Sequence, residues 1–174
     1  SDMRRIAKVM NFGVIYGLTA FGISQQTELS PDQGSQFIKT YFGTYPRVWT
    51  YLEETVIEAR ESGYVQTYLG RKRYIPDITS SNYQLRQAAE RMAVNMPVQG
   101  TAAEIIKEAM LSIHRQLNQL GMTAKMLLQV HDELVFEVSR EETEPLQQIL
   151  FDTMPNALNL DVPLKIDLKI GATW

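Results

Sequence analysis

The stretch Leu127-Leu128-Gln129-Val130-His131-Asp132-Glu133-Leu134-Val135-Phe136-Glu137-Val138 constrains the fold more than any other part of this 174-residue chain. Two β-prone runs with period-2 patterning flank three consecutive polar residues. The pattern predicts a hairpin, Met122–Val130 against Leu134–Val138, with His131, Asp132 and Glu133 at its turn. Adjacent carboxylates at a rigid tip offer oxygen ligands to Mg²⁺, which keeps open positions for phosphate. The same residues equally suit a solvated acidic turn, where Asp is common.

Helices come first in this chain, followed by a small antiparallel sheet with helices, which predicts an α+β fold. Ser1 or Asp2 can cap a first helix that Gly17 ends. Gly13 inside that helix costs about 1 kcal/mol of propensity relative to Ala, which points to a close approach or a bend. Ser30-Pro31 opens a helix with Phe37, Ile38, Tyr41 and Phe42 on its apolar face. Pro46 opens another, with Trp49, Leu52, Val56 and Ile57 on one side and Gly63 at its end. Tyr41, Phe42, Tyr45 and Trp49 are expected in the core. Tyr64–Leu69 and Arg71–Ile75 read as a hairpin around Gly70. A long helical pattern runs from Asn82 to Leu120, and Pro97 within it predicts a kink. Ser139-Arg140-Glu141-Glu142 has the spacing of a capping box. It precedes a helix bearing Leu146, Ile149, Leu150 and Met154, and Leu164–Ile170 alternates as a last strand.

Composition narrows the class. A hydrophobic content of 44% supports a core, against disorder. No apolar run is long enough to cross a bilayer, and no signal-peptide pattern opens the chain. The absence of Cys excludes a disulfide scaffold and a zinc-thiolate site and fits a cytoplasmic setting. The formal charge of −3 is not the basic balance of many nucleic-acid binders. The charge is uneven, however: residues 1–100 carry net +2 and residues 101–174 net −5.

Arg4, Lys8, Phe12 and Tyr16 recur every four residues and form one slowly winding helical stripe. Two cations can hold a polyphosphate, and two rings can pack against a sugar and a base. An amphipathic helix with a basic solvent face and buried aromatics has the same pattern. Arg5 lies about 100° around the helix from Arg4. On the long helix Arg91, Asn95 and Gln99 share i, i+4, i+8 spacing, so they are placed either to meet a duplex groove or to make a polar helix face.

Taken together, these segments are more specific than any one of them. Arg4…Lys8…Asn11-Phe12-Gly13…Tyr16-Gly17 resembles the fingers motif of family A DNA polymerases, the group that includes bacterial DNA polymerase I. Gln129-Val130-His131-Asp132-Glu133 resembles that family's second palm motif. Arg91 to Glu104 resembles its long palm helix, and Thr67-Tyr68-Leu69-Gly70-Arg71-Lys72-Arg73 the hairpin before that helix. The motifs fall in the family's order, and the resemblance covers essentially the whole chain.

The resemblance implies template-directed addition of dNTPs to a primer 3′-hydroxyl by two Mg²⁺ ions. Asp132 is then a metal ligand and catalytic, with Glu133 assisting. Lys8 is catalytic and, with Arg4, Phe12 and Tyr16, binds nucleotide. Arg91, Asn95, Gln99 and His131 contact primer-template DNA. Residues 1–80 correspond to fingers and 81–174 to part of a palm. The family's other catalytic carboxylate sits in a motif resembling Asp-Tyr-Ser-Gln-Ile-Glu, which this sequence does not contain. The expected partner is therefore an upstream palm and thumb in a longer parent chain, and the isolated chain is expected to be inactive. A noncatalytic DNA-binding module derived from the same fold is the alternative, and a metal hydrolase built on His131, Asp132 and Glu133 ranks far below.

Overall fold

Proline and glycine set several of the element boundaries. The computed structural model describes residues 2–173. The side chains of Asp2, Met3 and Arg5 lie outside that description, and so does the cap expected at Ser1 or Asp2. Helix α1 spans Asp2–Ile15, α2 Ala20–Gln26, α3 Pro31–Thr44 and α4 Pro46–Ser62. Strands β1 (Tyr64–Gln66) and β2 (Lys72–Tyr74) follow, then a 3₁₀ turn at Pro76–Thr79. Helix α5 runs Tyr83–Gln119, β3 Lys125–Val130, β4 Glu133–Glu137 and α6 Thr143–Thr153. Ser30 and Gln33 form a full capping box at α3 with Pro31 inside its first turn. Gly63, at φ 79°, ends α4 in the left-handed region. The fold is α+β, as the sequence predicts.

The chain forms two compact units, 1–99 and 100–174. The core of the first joins Ala59 of α4, Val65 of β1, Ile75, Ile78, and Ala89 and Ala93 of α5, with Met96 packed against them. The alanines of α4 and α5 share this cluster with Val65 of a short hairpin. That hairpin is antiparallel and pairs Tyr64 with Tyr74, Val65 with Arg73 and Gln66 with Lys72. It is shorter than the alternation over Tyr64–Leu69 predicts. Thr67 keeps one cross-strand bond, its N–H donating to Arg71 O at 3.0 Å, but its carbonyl accepts from Gly70 N at 2.9 Å and its hydroxyl, in place of that carbonyl, accepts from Arg71 N at 3.0 Å, which closes the turn.

The second unit is built around Ala109, Ile113 and Leu117 of α5, Ala124, and Leu146, Ile149 and Leu150 of α6. Met126, Leu134 and Phe136 press one face of the β3–β4 hairpin onto this core. Truncating the fully buried Ile113 to Ala costs about 2–5 kcal/mol by the usual cavity cost. The register pairs Met126 with Phe136 but Leu128 with Val135, leaving Leu127 as a bulge. The bulge breaks the simple alternation, so Leu127 and Leu128 are both exposed.

Four expectations need correction. Glu133 is not in the turn; it begins β4 and pairs with Val130, so the turn is only His131 and Asp132. The aromatics Tyr41, Phe42, Tyr45 and Trp49 are not a core. Tyr45 is 52% and Trp49 45% exposed, and the rings meet one another instead, with centroids 4.8 to 5.5 Å apart. Ser139 and Glu142 make no reciprocal box. Ser139 Oγ accepts from the Glu142 backbone N–H, while the Glu142 carboxylate turns away to Thr123 and Ala124. Finally, Leu164–Ile170 is extended and Ile166 and Leu168 do face the core, but it makes no ladder among the described residues. Alternation fixes which side chains turn inward, whereas a strand also needs a backbone partner.

Candidate functional site

Helix α1 carries the stripe as spaced. Arg4 and Lys8 are exposed, Phe12 is 54% exposed and Tyr16 is half-buried just past the last turn, its N–H donating to Phe12 O at 3.1 Å. The exposure of Phe12 removes the core reading for that ring. Asn11 Nδ2 donates to Ala7 O at 2.9 Å, fastening the helix between the cations and the rings. No hydrogen bond or ion pair engages the Lys8 ammonium among the described residues, so its charge is available to a ligand.

The helix ends in two hydrogen bonds that define a Schellman turn: Gly17 N donates to Val14 O at 3.1 Å and Leu18 N to Gly13 O at 2.7 Å. Gly17 needs its glycine twice over. Its φ is +80°, and a Cβ there would lie 3.0 Å from Arg91 Cγ. The Arg91 stem on α5 thus packs against the end of α1 and joins the two predicted groups within the first unit. Gln99 lies exposed two turns further along α5. Asn95 between them is half-buried, and its Oδ1 is buried with no hydrogen-bond partner among the described residues. Such an acceptor is costly to leave unmade.

Beside this junction lies a cleft of about 440 Å³. Ile15, Trp49, Leu52, Val56, Ile57 and Val94 give it an apolar lining, and Arg91 and the Arg60–Glu90 ion pair stand among its charged groups. The apolar face read on α4 is therefore correct in its members, but it lines this cleft. The sequence carried no separate signal for the cleft, because an apolar helix face reads alike whether it meets a core or a groove.

In the second unit the β3–β4 turn presents His131 and Asp132, both exposed, with exposed Glu133 next along the chain. His131 takes φ 55°, uncommon for any residue but glycine, though His is among those enriched there. Gln129 Nε2 braces the turn by donating to His131 O at 2.9 Å. The Asp132 carboxylate is engaged by no hydrogen bond or ion pair among the described residues. No group of three or more His, Cys, Asp or Glu that could hold a metal comes together among the described residues. At the base of this unit Glu142 accepts from Thr123 N (2.8 Å), Thr123 Oγ1 (3.0 Å) and Ala124 N (2.9 Å). The Thr123 backbone bond chiefly holds its carboxyl below the usual range, with the Thr123 hydroxyl and Ala124 N–H adding to the effect.

On the β1–β2 hairpin Lys72 Nζ sits 4.0 Å from the Tyr64 ring centroid. Hydrogen bonding to Tyr64 raises its pKa, so Lys72 is tied to the hairpin itself.

Similarity to known proteins decides the family. A model described as DNA polymerase family A matches residues 1–174. The chain belongs to DNA polymerase family A. Family A relatives include DNA polymerase I of Bacillus caldotenax, 47% identical over 99% of this chain and 20% of that protein. The thermostable DNA polymerase I of Thermus filiformis is 46% identical over 99% of this chain and 20% of its own length. Among solved family A structures, the polymerase domain of Pol1 from M. smegmatis, in complex with DNA primer-template and dNTP, matches with a TM-score of 0.90 and 45% identity. That match covers 95% of this chain and 29% of the other. The chain spans about a fifth of the length of the curated relatives it matches.

Proposed function

We propose that this chain is the fingers, residues 1–80, and part of the palm, residues 81–174, of a longer polymerase that adds dNTPs to a primer 3′-hydroxyl on a DNA template. The observation that carries this reading is the likeness, over 95% of the chain, to a polymerase domain solved with primer-template and dNTP. In this reading Arg4 and Lys8 grip the triphosphate, the first as a bidentate fork and the second as a point charge. Lys8 gives a proton to the departing pyrophosphate. Phe12 packs on the incoming sugar, and Tyr16 guards the pocket of the templating base. Arg91, Asn95 and Gln99 meet minor-groove acceptors that A·T and G·C pairs share, which checks pair shape without reading sequence. His131 lies against the primer end.

Asp132 serves as a Mg²⁺ ligand, with Glu133 assisting. The residues present fit half of such a site. Asp132 offers an exposed oxygen donor, but the described residues supply no cage, so the second carboxylate comes from an upstream palm strand. When bound, the cations supply positive charge that holds the phosphates and activates the attacking hydroxyl. The upstream palm also gives a partner to the free edges of β3 and β4 and to the extended segment 164–170. On its own the chain is inactive. The same reading puts the parent enzyme in the cytoplasm. Among the described residues no helix is long and apolar enough to cross a membrane.

Lys8→Ala in the parent polymerase tests the reading. It lowers both dNTP affinity and the rate of addition, because Lys8 meets charge that grows in the transition state. Primer-template affinity changes much less. Loss of duplex affinity with a normal rate and normal dNTP dependence once DNA is saturating would contradict it.

A further inference from the structure

Leu18, in the turn between α1 and α2, occupies a socket walled by two glycines. A Cβ on Gly13 of α1 would lie 2.6 Å from Leu18 Cδ2, and a Cβ on Gly22 of α2 would lie 2.5 Å from Leu18 Cδ1. Each methyl of the leucine therefore fills the space of one missing side chain. Neither glycine has a positive φ, so what a side chain at either position would meet is the leucine's methyl tips, and the leucine must move to admit it. The Leu18 N–H adds the 2.7 Å bond to Gly13 O across the same turn. Thr19, the next residue, caps α2 by accepting from Gly22 N at 3.1 Å. The chain of close contacts continues: a Cβ on Gly34 of α3 would lie 2.9 Å from Ala20 O of α2.

We infer that Leu18 is a positioning residue, a knob that locks the last turn of α1 to α2 and so fixes where Phe12 and Tyr16 stand. Phe12 adjoins Gly13, and Tyr16 lies two residues before Leu18. Phe12 is exposed and Tyr16 only half-buried, so packing of the rings themselves holds them weakly. Their position is set by the backbone of that last turn, which the knob and the Schellman bonds hold at both ends. The inference rests on the polymerase reading proposed above, which makes these rings the contacts of the incoming nucleotide and its template base. The expected consequence is a loss of dNTP affinity, not of duplex affinity, when the socket is filled.

The test is a size swap in the parent polymerase. Gly22→Ala pushes on Leu18 Cδ1 and Cγ, and with Leu18 truncated to Ala the nearest of the three closest atoms still in place is Thr19 Oγ1 at 3.5 Å, an ordinary contact. Gly22→Ala alone is expected to raise the KM for the correct dNTP by about tenfold, a modest share of what a misplacement near 1 Å can cost. It lowers kcat less and leaves primer-template Kd unchanged. Leu18→Ala alone loosens the turn and has a smaller effect. The double variant Gly22→Ala/Leu18→Ala is expected to fall within about threefold of Leu18→Ala, far from the product of the single effects. An unchanged KM in Gly22→Ala, or a double variant as impaired as that product, overturns the lock.

Should Gly22→Ala fail to fold, the double variant decides. A folded double variant with near-Leu18→Ala kinetics supports the lock, and an unfolded one refutes it. If the unsubstituted parent does not extend a primer, the polymerase reading fails on its own. Melting temperatures then judge the packing, with the same rescue expected.

Discussion

Phe12 shows how far a single residue can be read. Its four-residue spacing from Lys8 and Tyr16 is plain in the sequence, but a buried and an exposed ring give the same pattern. Its 54% exposure resolves that choice. The family resemblance implies that Phe at this position discriminates against dideoxynucleotides. A normal dNTP fills the gap beside the ring with its own 3′-hydroxyl, and a Tyr hydroxyl supplies the missing group. Phe12→Tyr in the parent is therefore expected to raise dideoxynucleotide incorporation relative to dNTP, with little change for dNTP itself. Because the ring is exposed, the added hydroxyl meets water, and the melting temperature should hold. A lowered melting temperature with an unchanged incorporation ratio would take Phe12 out of the site. Asp132 makes the complementary case. Its exposed carboxylate supports no packing, so Asp132→Ala should leave the parent's unfolding free energy within about 0.5 kcal/mol, as for surface changes, while nucleotide addition is abolished. Near-normal turnover in Mg²⁺ would make it an ordinary turn residue.

The elements were legible where a local device decides them and illegible where a distant partner does. Ser30-Pro31 with Gln33, Gly63 and Gly17 mark helix ends by their own chemistry, and each does so in the structure. Gly13 signalled a close approach, and Leu18 makes it. Gly22 carried the same signal, and mid-helix glycine could have revealed the second wall of the socket. The β3–β4 hairpin was legible, but its bulge at Leu127 was not, because a one-residue slip is invisible in alternating apolar residues. Segment 164–170 shows inward alternation without a ladder. Glu142 was misread because capping-box spacing cannot reveal that its carboxylate has better donors at Thr123 and Ala124.

That clamp joins the start of β3 to the start of α6 and gives a pH prediction. The folded state holds the Glu142 carboxyl below its ordinary value. Its contribution to stability is therefore complete above the unfolded value and is lost as pH falls through the folded one. Glu142→Gln should lower the melting temperature more at about pH 7 than at about pH 3, the difference shrinking as the carboxyl takes up its proton. An equal loss at both would show that the carboxylate charge is not what holds Thr123 and Ala124.

At the scale of the molecule, the family was legible in four motifs in order rather than in composition, which is mildly acidic. The residues proposed for the site fall in both units: the cations, the rings and Arg91, Asn95 and Gln99 in residues 1–99, and His131, Asp132 and Glu133 in residues 100–174. What the described residues do not contain is a group of three or more His, Cys, Asp or Glu that could hold a metal around Asp132. A two-metal displacement clamps the attacking and leaving oxygens together, which a single acidic tip does not do. The most direct test is primer extension with Mg²⁺ and all four dNTPs, comparing the purified 174-residue chain with its parent at equal concentration. The parent should extend the primer according to the template, and the chain alone should not. Template-dependent extension by the chain alone, or a parent that binds primer-template without extending it, would contradict the assignment.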